Sequence, residues 1–149
     1  MELKPLPPDF KDFIEILNKV KVRYMVVGGW ALGFHGWPRL TKDIDIWVAV
    51  DPENEKAVCE ALVKFGAPGP TAADFFTETE KNVYFMGLPP NRIEVISSID
   101  GVTFDDCYER SVIVEHGGVE LRVIGLEDFK TNKRESGRYQ DLADLDQLG

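Results

Sequence analysis

The chain has 149 residues, 44% of them hydrophobic, and a formal net charge of −9 at pH 7. That length carries one domain with a proper core, residues 1–149, and no break in composition argues for two. The acidity argues against a generic nucleic-acid binder, which would present a basic surface, and favours small or nucleotide substrates.

The opening MELKPLPPDF lacks the long apolar core of a signal peptide, and no apolar run approaches membrane-spanning length, so the chain reads as cytoplasmic with no membrane partner. Cys59 and Cys107 stand in no metal-ligand spacing and read as ordinary reduced thiols. After the Pro-rich start, Asp9 can cap a helix to about residue 21, with Phe10, Phe13, Ile14, Leu17 and Val20 at helical spacing. Residues 22–27 read as a buried strand, Gly28-Gly29 as a turn, and residues 30–36 as a short helix ended by Trp37-Pro38. A connector holding Arg39, Thr41 and Lys42 then leads into a strand over 43–48.

That strand alternates, Asp43-Ile44-Asp45-Ile46, and alternation puts Asp43 and Asp45 on one face and the isoleucines in the core. Two carboxylates side by side repel each other and need a cation; Mg²⁺ or Mn²⁺, hard ions that take oxygen ligands and substrate phosphates, answers that need. The glycine pair lets backbone N–H groups approach an anion, and the helix start adds partial positive charge. A phosphate cradle beside a metal-binding strand makes a nucleoside triphosphate site, with Arg39 and Lys42 delivered next to the phosphates. The plainer alternative is a polar solvent face on an edge strand.

Further on, Pro52 opens a helix with Ala57, Val58, Ala61, Leu62 and Phe65 on one face and Gly66 as its stop. Residues 67–70 form a loop, and 71–80 show no clear period. Strands over 82–88 and 91–97, joined through Pro89-Pro90, can form a hairpin. In the second, Glu94 lies between Ile93 and Val95, and a carboxylate in such surroundings needs a partner or a metal; the plainer alternative is a structural ion pair with Arg92 or Arg39. A turn at 97–101, a short helix or loop at 104–110, and a hairpin around Gly117-Gly118 follow. A helix over 126–136 carries Lys130, Lys133 and Arg134, and residues 138–148 place Leu142, Leu145 and Leu148 on one face. The class is α+β with α/β character: a mixed sheet with helices packed against it.

Gly28-Gly29, Arg39, Thr41 and Asp43-x-Asp45 resemble the signature of the DNA polymerase β-type nucleotidyltransferase superfamily. The form is closest to small bacterial members that include AbiEii-type toxins and some antibiotic nucleotidyltransferases. The resemblance implies metal-dependent transfer of a nucleoside monophosphate from an NTP to an acceptor hydroxyl on a small molecule, RNA or protein. It implies phosphate contacts at Gly28, Gly29, Arg39, Thr41 and Lys42. It also implies a third carboxylate on a neighbouring strand, at Glu94 where the family has Asp, serving with Asp43 and Asp45 in catalysis and metal binding. The K-x-x-K run similarly raises Lys130, ahead of Lys133, to a phosphate contact. Two other readings stand beside this one. One is a toxin–antitoxin component of the same fold with a cognate partner; the other is a catalytically weak nucleotide-binding or interaction module. A homodimer is a further candidate assembly, since the chain leaves little room for a separate substrate domain. His35, Trp30 and Trp47 read as packing residues.

Overall fold

In the computed structural model the described residues are 4–37, 43–66, 83–87, 91–138, 143, 145 and 146. The elements in order are α1 (Pro8–Val20), β1 (Tyr24–Val27), α2 (Gly28–Phe34), β2 (Ile44–Val48), α3 (Pro52–Phe65), β3 (Val83–Met86), β4 (Ile93–Ile96), α4 (Phe104–Arg110), β5 (Val112–His116), β6 (Val119–Val123) and α5 (Leu126–Ser136). The expected loop at 67–70, the unassigned 71–80 stretch, the Pro89-Pro90 turn and most of 138–148 lie outside the described residues, as do Arg39, Thr41 and Lys42.

α1 buries Phe10, Phe13, Ile14 and Leu17 along one stripe. Asp9 does not cap it. The cap position is Pro7, and Pro8 fills the first turn, where a missing N–H costs nothing, so Asp9 instead lies inside that turn. Lys21 at φ 66° ends the helix in a left-handed cap, which delays the strand to Tyr24. α3 follows its pattern closely: the Asp51 side chain accepts from Asn54 N–H at 2.9 Å and Gly66 closes the helix at φ 94°.

The described strands form one mixed sheet in the order β3-β4-β2-β1-β6-β5. β1 runs antiparallel to β2 and parallel to β6, while β2 runs parallel to β4. β2 is therefore interior, which removes the edge-strand alternative for Asp43 and Asp45. Helices α1 and α3 pack on each other, and α2 packs on β1, β2 and α5. Phe10 meets Trp30 edge-on at 6.2 Å, and Phe13 meets Phe65 at 5.1 Å. Each such side chain contributes about 1.5–3 kcal/mol on burial. Among the described residues no helix is long and apolar enough to cross a membrane.

One buried polar side chain ties one end of the β1–β2 pair, where β1 begins and β2 finishes, to α3. Asn54, 3% exposed, accepts from Arg23 N–H at 2.8 Å and donates to Arg23 O at 3.1 Å and Ala49 O at 2.8 Å. Asn54→Ala strands those backbone groups inside the protein, where each unmade bond costs about 1–3 kcal/mol. The expected result is a loss of about 3 kcal/mol, read as a lower urea midpoint at unchanged slope.

Candidate active site

The last residue of β1 lies against β2, with Val27 opposite Asp45. The chain then turns into α2 through Gly28 at φ +70°, a conformation that side-chain-bearing residues adopt rarely. A Cβ built on Gly28 would stand 2.2 Å from Asp45 Oδ2, so the absent side chain is the space that the carboxylate occupies. The turn expected at Gly28-Gly29 is thus the first turn of α2 itself, and it is shaped around Asp45.

On the other side of β2, Asp45 is in register with Glu94 of the parallel strand β4. The two carboxyls meet, and the Asp45 carboxyl is pushed up to about 8. Burial is the largest cause, followed by a hydrogen bond with Glu94 and the Glu94 charge, with the Asp43 charge adding and Lys133 opposing. Asp45 Oδ1 is buried with no hydrogen-bond partner among the described residues.

Asp43 immediately precedes β2 and is joined to β4 through Arg92. The Arg92 backbone N–H donates to Asp43 Oδ1 at 3.3 Å, and its Nη2 lies 3.4 Å from Asp43 Oδ2 and 3.0 Å from Glu94 Oε1. The plain ion pair is therefore present at Glu94, and so is the contact with Asp45. Among the described residues no group of three acidic, His or Cys side chains stands ready-made for a metal, and Arg92 sits between two of the three acids.

Above this pair lies a cleft of about 400 Å³. Gly28, Asp45 and Glu94 form one end, Val83, Phe85, Ile96 and Ile99 line an apolar wall, and α5 supplies Asn132, Lys133 and Ser136. Asn132 Nδ2 donates to Asp100 O at 2.9 Å, fastening α5 to the loop after β4. Lys133 is only 8% exposed, with its ammonium 5.2 Å from the Phe129 ring. Lys130, the cation ranked first from sequence, is not among the residues lining the cleft and pairs with Glu127 at 3.7 Å. Lys133 was legible in principle: it follows Phe129, the buried apolar residue of α5, by four positions and so shares its face.

His35 is structural, its Nε2–H donating to Ile124 O at 2.6 Å. Burial pushes the Cys107 thiol up to about 12, helped by Asp128, and raises Cys59, which suits unreactive thiols. In a second hollow, of about 300 Å³ at the far end of β1, the Tyr24 hydroxyl donates to Asn18 Oδ1 at 2.8 Å and Arg122 to Ser111 Oγ at 3.0 Å. The positive-φ glycine, the orphaned oxygen and the paired acids all belong to the first cleft.

No protein-family model matches the sequence, and neither does any curated protein. Solved structures do. TM1012 of Thermotoga maritima, provisionally classed as a nucleotidyltransferase, superposes with a TM-score of 0.63 at 19% identity over 96% of this chain and 94% of that one. The lincosamide antibiotic adenylyltransferase LnuA, solved with lincomycin bound, superposes with a TM-score of 0.58 at 14% identity over 97% and 98%. The chain shares the fold of these two structures, a mixed sheet with helices packed against it, as the sequence led one to expect.

Proposed function

We propose that this chain is a divalent-metal-dependent nucleotidyltransferase, moving a nucleoside monophosphate from an NTP to an acceptor hydroxyl. The observation that carries the reading is the Asp45–Glu94 pair, set against Gly28 at one end of a cleft that also holds Lys133. The donor set fits Mg²⁺ or Mn²⁺: hard oxygens, one of them buried without a partner among the described residues, on a carboxyl that burial and Glu94 push towards its protonated form. Asp45 and Glu94 would hold the ion, with Asp43 as the third ligand. The bound ion supplies charge neutralisation at the attacking and leaving oxygens.

The chain's own groups do the rest. Backbone N–H groups at Gly28 and Gly29 hold the triphosphate, and Lys133 takes the phosphate role that sequence had ranked first for Lys130. Arg39, Thr41 and Lys42 keep the flanking phosphate roles that the motif implies. Glu94 takes the acceptor hydroxyl's proton as the new P–O bond forms. The bond to the leaving group breaks, and pyrophosphate departs. LnuA is named for adenylating a lincosamide antibiotic. A small hydroxylated acceptor is accordingly the first class to screen.

Titration calorimetry of ATP, GTP, CTP and UTP, with and without Mg²⁺, tests the site. Metal-dependent binding that an Asp43→Asn/Asp45→Asn variant loses is the expected result; absence of nucleotide binding under every condition overturns it. A second reading, a nucleotide-binding module without turnover, draws on the Arg92 bridge across two of the acids. Metal-dependent binding with no transfer to any acceptor would favour that reading.

A further inference from the structure

Arg92 stands where the proposed chemistry wants a cation. One guanidinium nitrogen serves both Asp43 and Glu94, at 3.4 and 3.0 Å, and the backbone N–H of the same residue holds the other Asp43 oxygen at 3.3 Å. The guanidinium is backed by Phe85, whose ring centroid is 4.4 Å away and which is directly opposite Glu94 across the β3–β4 pair. The pair rests on an aromatic ring that is itself 52% exposed, at the wall of the cleft. Arg92 Nε is buried without a hydrogen-bond partner among the described residues, so the guanidinium still carries an unused donor.

Charge arithmetic gives this placement a consequence. Among the described residues and without metal, the cluster sets Asp43, Asp45 and Glu94 against the Arg92 guanidinium, with Lys133 close to Asp45. A divalent ion seeking Glu94 and Asp43 must take oxygens that Arg92 already holds. A free ion gives the guanidinium nothing in exchange. A triphosphate does, because its oxygens accept the planar fork of donors that an arginine presents.

We propose that Arg92 is a built-in competitor of the divalent cation, held on Asp43 and Glu94 until a metal-bearing nucleotide displaces it and takes over its guanidinium. The chain then takes up metal together with nucleotide, not before it, and Arg92 acts as a positioning residue that passes from the acids to the phosphates. This rests on the nucleotidyltransferase reading above.

Binding of Mn²⁺ alone, followed by the loss of the free-ion paramagnetic resonance signal, tests it on the whole chain. Wild type should bind free Mn²⁺ at least about tenfold more weakly than Arg92→Gln, and Arg92→Lys, which keeps the charge, should stay near wild type. Addition of ATP should erase or reverse the advantage of Arg92→Gln. Equal or weaker Mn²⁺ binding by Arg92→Gln overturns the proposal. Should that variant fail to fold, wild type still decides, with Arg92→Lys used only for assignment. The Arg92 Nε–H nuclear resonance, assigned by its absence from Arg92→Lys, should move with Mg²⁺ and ATP together and stay put with Mg²⁺ alone. Movement with Mg²⁺ alone overturns the proposal equally. Intact Mg²⁺–ATP binding beside an unchanged metal affinity in Arg92→Gln rejects this inference only, whereas failure of ATP to bind wild type rejects the nucleotidyltransferase reading.

Discussion

Replacing Asp45 with Asn is expected to silence transfer and, at the same time, to stabilise the metal-free protein. The Asp45 carboxyl is raised from an ordinary value of 3.8 to about 8, through burial first and Glu94 second. Between those two values the folded chain binds the proton more tightly than the unfolded chain does. Stability is therefore full below about pH 4 and is lost as pH rises towards 8. Asn imitates the protonated acid at every pH, so wild type and variant should melt together near pH 4 and separate above it. One pKa unit corresponds to about 1.4 kcal/mol, which puts the gap at pH 8 on the order of several kcal/mol, or roughly 10 °C in melting temperature for a chain of this size. Saturating Mg²⁺ should reverse the order, because it stabilises only the form whose ligands are intact. Transfer should fall by at least about 100-fold, the scale on which even supporting contacts at metal sites matter. Calorimetry at pH 5 and pH 8, with and without Mg²⁺, reads all of this. A melting difference that ignores pH would remove Asp45 from the role assigned to it.

How far the sequence could lead is clearest at these same residues. The i, i+2 spacing of Asp43 and Asp45 depends only on strand geometry, and Ile44 and Ile46 are fully buried as that geometry requires. The existence of α3 and of α5 was equally legible, since caps and apolar periodicity are local properties. The register Asp45↔Glu94 was not, because it requires β2 and β4 to pair in parallel across nearly fifty intervening residues. Nothing local marks that pairing. The same limit hid Asn54, whose partners lie on two other segments. It also hid the link from Arg92 to Asp43, which exists only once the strands meet, whereas the Arg92–Glu94 pair was within reach of the sequence. Lys130 and Lys133 differ for another reason. Their sequence context is alike, and only the buried face of α5, marked by Phe129, separates a lysine paired along the helix with Glu127 from one held in the cleft.

Gly28→Ala is expected to do the opposite of Asp45→Asn for stability while abolishing the same activity. The residue sits at φ +70°, where a Cβ costs roughly 1–2 kcal/mol. That Cβ would also meet Asp45 Oδ2 at 2.2 Å and Asp45 Cγ at 3.2 Å. A carboxylate on a flexible surface chain would simply move aside. Asp45 is short, sits on an interior strand and has Glu94 on its other side, so it can yield only by leaving the position that the proposed metal site needs. The variant should therefore lose about 2–4 kcal/mol, the backbone strain plus an overpacking cost, along with nearly all Mg²⁺-dependent nucleotide binding. A double-mutant cycle with Asp45→Ala separates the two causes. If the clash dominates, removing the carboxylate should restore most of the stability lost in Gly28→Ala while leaving activity absent. If the two changes simply add, the cost lies in the backbone conformation alone, and the missing side chain at Gly28 serves the turn but not the carboxylate.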